Sequence, residues 1–248
     1  MKEIILILGE LVQGITKPFV VRFRWKFAIM RYKKNSSNSK ISEDWEAISF
    51  NRISFVNQVV AKTGTKNYLE IGCDTNGLFH SVPVINKVGV DPMQGGNVRL
   101  ESDVFFKTNT QIFDTVFIDG LHTYDQVRRD VVNSMKHTKV GGWVLLHDMI
   151  PRNWVEEHVP RIGEGAWTGD VWKVAFELMN TKGIDFKIIW ADKGVGIFKI
   201  LDSGVLLHDN ENDLKTKDYQ YFFDNYNTLP IIKCNEALNW IQLNENKI

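Results

Sequence analysis

The chain has 248 residues, with 30 basic and 30 acidic side chains and 44% apolar residues, so its formal net charge is zero. That balance leaves no global field to draw it to nucleic acid or to an anionic membrane. Two cysteines, Cys73 and Cys234, make neither a disulfide framework nor a zinc pattern, and the expected setting is a reducing, cytoplasmic one.

Ile4–Gly9 is apolar but too short to span a bilayer. Lys2 is offset by Glu3 and no small-residue cleavage site follows, so a signal peptide is not expected. Arg22, Arg24, Lys26, Arg31, Lys33 and Lys34 come next. Residues 1–40 therefore read as a basic, apolar helical extension, either with a solvated face or in contact with a membrane surface. Asn35–Ser39 is a polar linker. Ser42, followed by acids, predicts a helix start, and Trp45, Ile48, Ile53, Val56, Val59 and Val60 approximate one helical stripe that ends at Thr63–Gly64.

From residue 66 onward, short apolar runs alternate with helical patterns. Strands are expected near 67–72, 87–91, 98–102, 114–119 and 142–147. A helix over 124–136 carries Val127, Val131, Val132 and Met135 on one side, and Lys139–Gly142 is expected to stop it. After a helix over 171–180, runs at 186–190 and 194–199 are separated only by Ala191–Lys193. That link is too short for a parallel crossover and predicts an antiparallel hairpin. The fold class expected is α/β: a doubly wound, mostly parallel, seven-stranded Rossmann-like sheet ending in a hairpin. The core spans 41–200, and residues 201–248 form an extension packed on it through Tyr219, Tyr221, Phe222, Phe223 and Tyr226.

The residues that carry chemistry lie at the carboxyl ends of these runs: Leu69-Glu-Ile-Gly72, Val88-Gly-Val-Asp-Pro92, Ser102-Asp-Val-Phe-Phe106, Val116-Phe-Ile-Asp-Gly-Leu-His-Thr-Tyr124 and Gly141-Gly-Trp-Val-Leu-Leu-His-Asp148. In this order and spacing they resemble the class I S-adenosylmethionine-dependent methyltransferases, in particular small bacterial-type O-methyltransferases of sugars and natural products. The resemblance covers residues 66–200. It implies S-adenosyl-L-methionine as cofactor, with Glu70, Gly72 and Asp74 at the methionine part, Asp91 on the ribose hydroxyls, Asp103 near the adenine amino group, and Asp119 orienting the acceptor or the cofactor's amino group. Asp74 and Asn76 stand where the family places further glycines, and Gly77 follows. A Gly-x-Gly-x-x-Gly fingerprint is absent, which argues against a nicotinamide oxidoreductase.

Asp119, His122, His147 and Asp148 are the expected catalytic residues. The metal-dependent catechol-type relatives carry a lysine base where this chain has His122, and a histidine suits the same proton transfer. Asp119 and Asp148 match two carboxylates that hold Mg2+ in those relatives, but the third ligand position is Met149 here. Because consecutive strand residues point to opposite faces, His147 is not expected to replace it. Metal-bound and metal-free readings both stay open. Trp167-Thr-Gly-Asp170-Val-Trp172-Lys173 reads either as an acceptor-binding loop or as packing at a helix start. The expected partner is a small hydroxylated acceptor, a glycan or a natural product, with a homodimer as a further expectation. The alternative function is a binding or scaffold protein that keeps the fold without transfer.

Overall fold

The computed structural model describes residues 24–246, and expectations that fall on residues 1–23 lie outside them. A helix over 24–31 (α1) leads into an irregular segment. Arg52–Thr63 (α2) then precedes Asn67–Ile71 (β1), Gly77–Ser81 (α3), Asn86–Val90 (β2), Ser102–Thr108 (α4) and Phe113–Ile118 (β3). Tyr124–His137 (α5), Thr138–Leu146 (β4), Trp154–Glu157 (α6), Lys173–Asn180 (α7), Ile184–Ile189 (β5) and Val195–Ile200 (β6) complete the core. The extension adds Glu211–Leu214 (α8), Tyr219–Asn225 (α9), Ile231–Ile232 (β7) and Cys234–Glu245 (α10). No described helix is long and apolar enough to cross a membrane.

The sheet has seven strands in the order β2-β1-β3-β4-β6-β5-β7. β1 pairs in parallel with both β2 and β3, and β3 pairs in parallel with β4. β6 enters antiparallel between β4 and β5. This is the expected doubly wound sheet with its terminal hairpin. The strand count comes out as expected, but by a different route. Residues 98–102 supply only one bridge, Val90 to Val98, before α4 begins at Ser102. The seventh strand is β7, which lies parallel beside β5.

Two layers of side chains bury the sheet. On one face α4, α5 and α7 contribute Phe105, Val127, Val131, Val174 and Leu178 against Leu69, Val116 and Val144. On the other, α2, α3 and α10 contribute Phe55, Val56, Phe79 and Ile241 against Tyr68, Phe117 and Leu145. This division explains why the helix expected from Ser42 does not form. Trp45 belongs to the first layer, whereas Val56, Val59 and Val60 belong to the second. One straight helix cannot serve both faces. The chain makes a single 3-10 turn at Trp45–Ala47 and begins α2 afresh, with the Asn51 side chain accepting from the Ser54 N–H. The helix stops as expected, at His137, but with no turn over Lys139–Gly142. β4 starts directly at Thr138, and the pairing register with β3 jumps between Phe113 and Thr115 to absorb those residues.

Candidate active site

The strand order reverses between β2-β1 and β3-β4, so a crevice opens beyond the carboxyl ends of β1 and β3. The ladder runs on past the strands there. Gly72 N–H donates to Val90 O, Asp119 N–H to Ile71 O and His147 N–H to Ile118 O. Gly72, Asp119 and His147 therefore share one edge of the sheet. Gly72 has φ +82°, and a Cβ on it would lie 2.1 Å from the Asp119 carbonyl oxygen, so only glycine allows the two strand ends to meet. The edge forms the wall of a cavity of about 1000 Å³.

One half of this cavity is lined by Gly72, Asp74, Asp91, Gln94, Ser102 and Asp130, with Ile71 and Val90 between them. Asp91 organises it. One carboxylate oxygen accepts from the N–H groups of Met93 and Gln94, the other from Cys73 and Asp74, at 2.8–3.1 Å. Burial opposes its charge, but these four backbone donors hold its pKa below the ordinary carboxylate value. Asp91 thereby ties the loop over 91–97 to the glycine turn. Gln94 Nε2 donates to Asp74, and Gly96 N–H donates to the Asn76 side chain. Asp74 and Asn76 both take positive φ, the backbone that the turn needs without further glycines.

Two expected cofactor residues lie elsewhere. Glu70 is buried beneath the crevice, where it accepts from the Tyr68 hydroxyl at 2.7 Å, and does not line the cavity. Asp103 faces away and pairs with Arg129 at 3.0 Å. The polar group that does line the wall on that side is Asp130, whose Oδ1 accepts from Ser102 Oγ at 2.6 Å and Gln126 Nε2 at 3.1 Å. An acceptor carboxylate, a hydroxyl and an amide beside apolar strand ends form a donor and acceptor set that fits a nucleoside.

The other half brings Asp119, His122, His147 and Asp148 together. His147 Nδ1 lies 3.1 Å from Asp119 Oδ1, and its Nε2 lies 2.9 Å from the Asp192 carbonyl oxygen. Both neighbours are acceptors, so both ring nitrogens donate and the ring is an imidazolium. Burial opposes that charge, but Asp148 and Asp119 outweigh it and raise the pKa to about 10. His147 is thus a fixed cation behind Asp119. It borders Asp148 without joining the Asp119–His122–Asp148 ligand cluster, although strand alternation is not the reason. β4 ends at Leu146 and Asp148 adopts φ +61°, so alternation no longer governs.

His122 Nδ1 donates to the Trp167 carbonyl at 2.8 Å and lies 3.1 Å from Asp148 Oδ2. Its Nε2 is 3.5 Å from Asp119 Oδ1, and its ring stacks on the Trp167 indole at 5.2 Å. Desolvation works against its charge, but the Asp119 contact and the Asp148 charge raise its pKa. Asp119, His122 and Asp148 offer ligand atoms that all lie within 4.8 Å of one another. Asp148 Oδ1 is buried and accepts no hydrogen bond among the described residues, though the His147 imidazolium Nδ1 lies 3.4 Å from it. That oxygen has lone-pair capacity to spare for a divalent cation, with His122 filling the third place that the sequence left open at Met149, a fully buried core residue.

Sequence reasoning missed Arg52, Asp192 and Lys193. Arg52 lies 3.3 Å from Asp119 and 3.2 Å from Asp192, and its backbone N–H also donates to Asp192. The topology carried the signal: antiparallel β6 begins where parallel β4 ends, so the β5–β6 turn must reach this crevice. The loop after β4 closes the site from the other side, with Trp167 Nε1 donating to His158 O. Asp170 accepts from Tyr124 N–H at the start of α5 and pairs with Lys173, so it holds the start of α5 and not that of the helix that follows it, whose N-cap is Trp172.

Residues 61–149 match the family model described as a methyltransferase domain, in keeping with the resemblance read from the strand-end motifs. No curated protein matches the sequence. Similar solved structures include an S-adenosylhomocysteine-bound methyltransferase from Podospora anserina, at 15% identity and TM-score 0.45, covering 72% of this chain and 86% of that one. An O-methyltransferase from Bacillus cereus in complex with S-adenosylhomocysteine is similar at 10% identity and TM-score 0.45, covering 71% and 90%. An amino pentose methyltransferase from Micromonospora echinaspora is similar at 14% identity and TM-score 0.42, covering 64% and 92%.

Proposed function

We propose that this methyltransferase takes a methyl group from S-adenosylmethionine and delivers it to a hydroxyl oxygen of a small acceptor, a glycan unit or a natural product. The observation that carries the reading is a single cavity with two unlike halves. A nucleoside-suited wall at Asp91 and Asp130 adjoins a His122–Asp119–Asp148 cluster at the ends of β3 and β4. S-adenosylmethionine supplies an electrophilic methyl on a sulfonium, so the chain's own residues need only align the acceptor and remove its proton.

His122 is the base. Nδ1–H is held by Trp167 O and Asp148, so the proton that leaves and returns is the one on Nε2, on the side of Asp119 and the cavity, and the raised pKa makes the neutral ring a stronger base once that proton is gone. Asp119 orients the acceptor and stabilises the imidazolium that forms. Burial opposes the charge of Asp119, but His147 and then His122 hold its carboxylate ionised, with Arg52 a further cation 3.3 Å away. His122→Ala is expected to lower turnover by about 10²–10⁴-fold, the usual contribution of a positioned base. S-adenosylhomocysteine affinity, measured by isothermal titration, should stay within two-fold of wild type, on the order of an effect too small to assign to one contact. An unchanged rate would place the base elsewhere.

The Asp119–His122–Asp148 cluster, with Asp148 Oδ1 accepting no hydrogen bond among the described residues, favours a second reading. A divalent cation held by Asp119, His122 and Asp148 would acidify a coordinated hydroxyl, and His122 would then be a ligand. Activity that is lost on chelation and restored by Mg2+ supports this reading. Full activity in EDTA removes it.

A further inference from the structure

The β5–β6 turn carries a cation that the chemistry above does not use. Asp192 and Lys193 both have positive φ, +46° and +62°, and Gly194 N–H donates to Ala191 O, so the turn places two non-glycine residues in the left-handed region. Such positions cost on the order of 1–2 kcal/mol each and persist where the surroundings fix them. Here three contacts bolt the turn to the end of β4. Ile150 N–H donates to Lys193 O at 2.7 Å, Met149 N–H to Gly194 O at 3.1 Å, and His147 Nε2 to Asp192 O. Lys193 thereby lines the cavity together with His122 and Asp148, and its charge eases in small part the burial that raises the Asp148 pKa.

The other cations of that half are committed. Arg52 is held by Asp119 and Asp192, and His147 donates through both nitrogens. Lys193 Nζ makes no hydrogen bond among the described residues. Its nearest carboxylate, Asp192 Oδ1, is 3.9 Å away, while the Asp192 carboxylate already accepts from Arg52 and faces His147. Glu46, across the cavity mouth, is mostly exposed and 3.9 Å from Arg152. A three-donor ammonium, 23% exposed and with no acceptor within hydrogen-bond distance among the described residues, is suited to an anionic group on what enters.

We propose that Lys193 selects acceptors that carry a carboxylate or a phosphate beside the hydroxyl to be methylated. This rests on the methyl-transfer reading. The test uses full-length protein saturated with S-adenosylhomocysteine. Inorganic phosphate and benzoate are titrated in turn, with Trp167 fluorescence as the signal and a Trp167→Phe control to assign it. Wild type should bind at least one of them saturably. Lys193→Met should bind it about ten-fold or more weakly, the scale of one charge-assisted hydrogen bond, and Lys193→Arg should retain it. Which anion saturates tells a phosphate acceptor from a carboxylate one. Absence of saturable anion binding, or equal binding by Lys193→Met, overturns the proposal. Failure of S-adenosylhomocysteine itself to bind would instead remove the methyl-transfer reading, and this inference with it.

Discussion

At the scale of single residues, the crevice is built from charges that the sequence shows but whose partners it hides. Asp91 stands at the end of β2 as its motif suggests, yet both its oxygens accept backbone N–H groups from two loops. Asp91→Asn puts an amide donor against two of those four donors. Stranding them is expected to cost about 1–3 kcal/mol and to loosen the loop over 91–97. Hydrogen exchange should then lose protection at Met93, Gln94, Cys73 and Asp74, and unchanged protection would show that Asp91 does not hold the loop. Glu157 offers a second residue-scale prediction. Burial raises its pKa from 4.5 to about 7, against the favourable Lys173 charge and the Trp172 indole N–H at 3.2 Å. The folded state then binds a proton that the unfolded chain has released. Stability is fully present below pH 4.5 and falls as pH rises to 7, at up to about 1.4 kcal/mol per pH unit. Glu70, raised by burial to about 7, adds the same slope. Asp130, raised by burial to about 6, and other raised groups slope the same way, so urea unfolding across pH 5–7 should show a shallower slope in Glu157→Gln, by up to about one proton's worth, without abolishing it. An identical slope would mean that Glu157 is ionised in the fold.

At the scale of elements, the β-α alternation and the terminal hairpin were legible because they rest on local signals: an apolar period and a three-residue link. The helix at Ser42 and the strand at 98–102 were misread because tertiary demands outweighed their local pattern. Trp45 and Val56 belong to opposite faces of the sheet, and the backbone past Val98 turns at once into α4. The loop over 166–170 was legible as a site element, but its fixing point was not. Gly169 has φ +59°, and a Cβ there would lie 1.7 Å from the His122 carbonyl oxygen. Gly169→Ala must therefore move the loop off His122, breaking the Trp167 contact and lowering turnover far more than stability. A variant with full turnover would show that this contact is dispensable. The C-terminal helix α10 is tied down by a buried cation. Lys199 Nζ donates to Asn244 O at 2.8 Å and Glu245 at 2.9 Å, and Trp143 Nε1 donates to the same carboxylate at 3.0 Å. Glu245→Ala leaves the buried ammonium and indole underpaired and should cost about 3 kcal/mol in urea unfolding. Lys199→Met removes the charge and keeps the bulk, and should cost under about 1 kcal/mol. The reverse order would mean that α10 is held by its apolar face alone.

At the scale of the whole molecule, the sheet divides the work in two. The β1 and β2 ends, with the loop over 91–97, build the wall suited to a nucleoside. The β3 and β4 ends, with the β5–β6 turn, build the wall suited to an acceptor and its proton. This division was only half visible in the sequence. The first wall is nearly continuous in the chain, from Gly72 to Ser102 with Gln126 and Asp130 added from α5, whereas the second draws Arg52, His122, Asp148 and Lys193 from four distant segments that only the strand order brings together. The two walls share no direct hydrogen bond between Asp91 and Lys193, so perturbing one should leave the other's ligand largely alone. Free-energy changes at sites without common partners add within about 0.5 kcal/mol. Asp91→Asn should weaken S-adenosylhomocysteine and leave the ratio of anion affinities between wild type and Lys193→Met intact. In the double variant, isothermal titration of each ligand should return the sum of the single effects. A coupling well above that bound would mean that the nucleoside wall must close before the acceptor wall takes shape. Binding would then be ordered, with the methyl donor first.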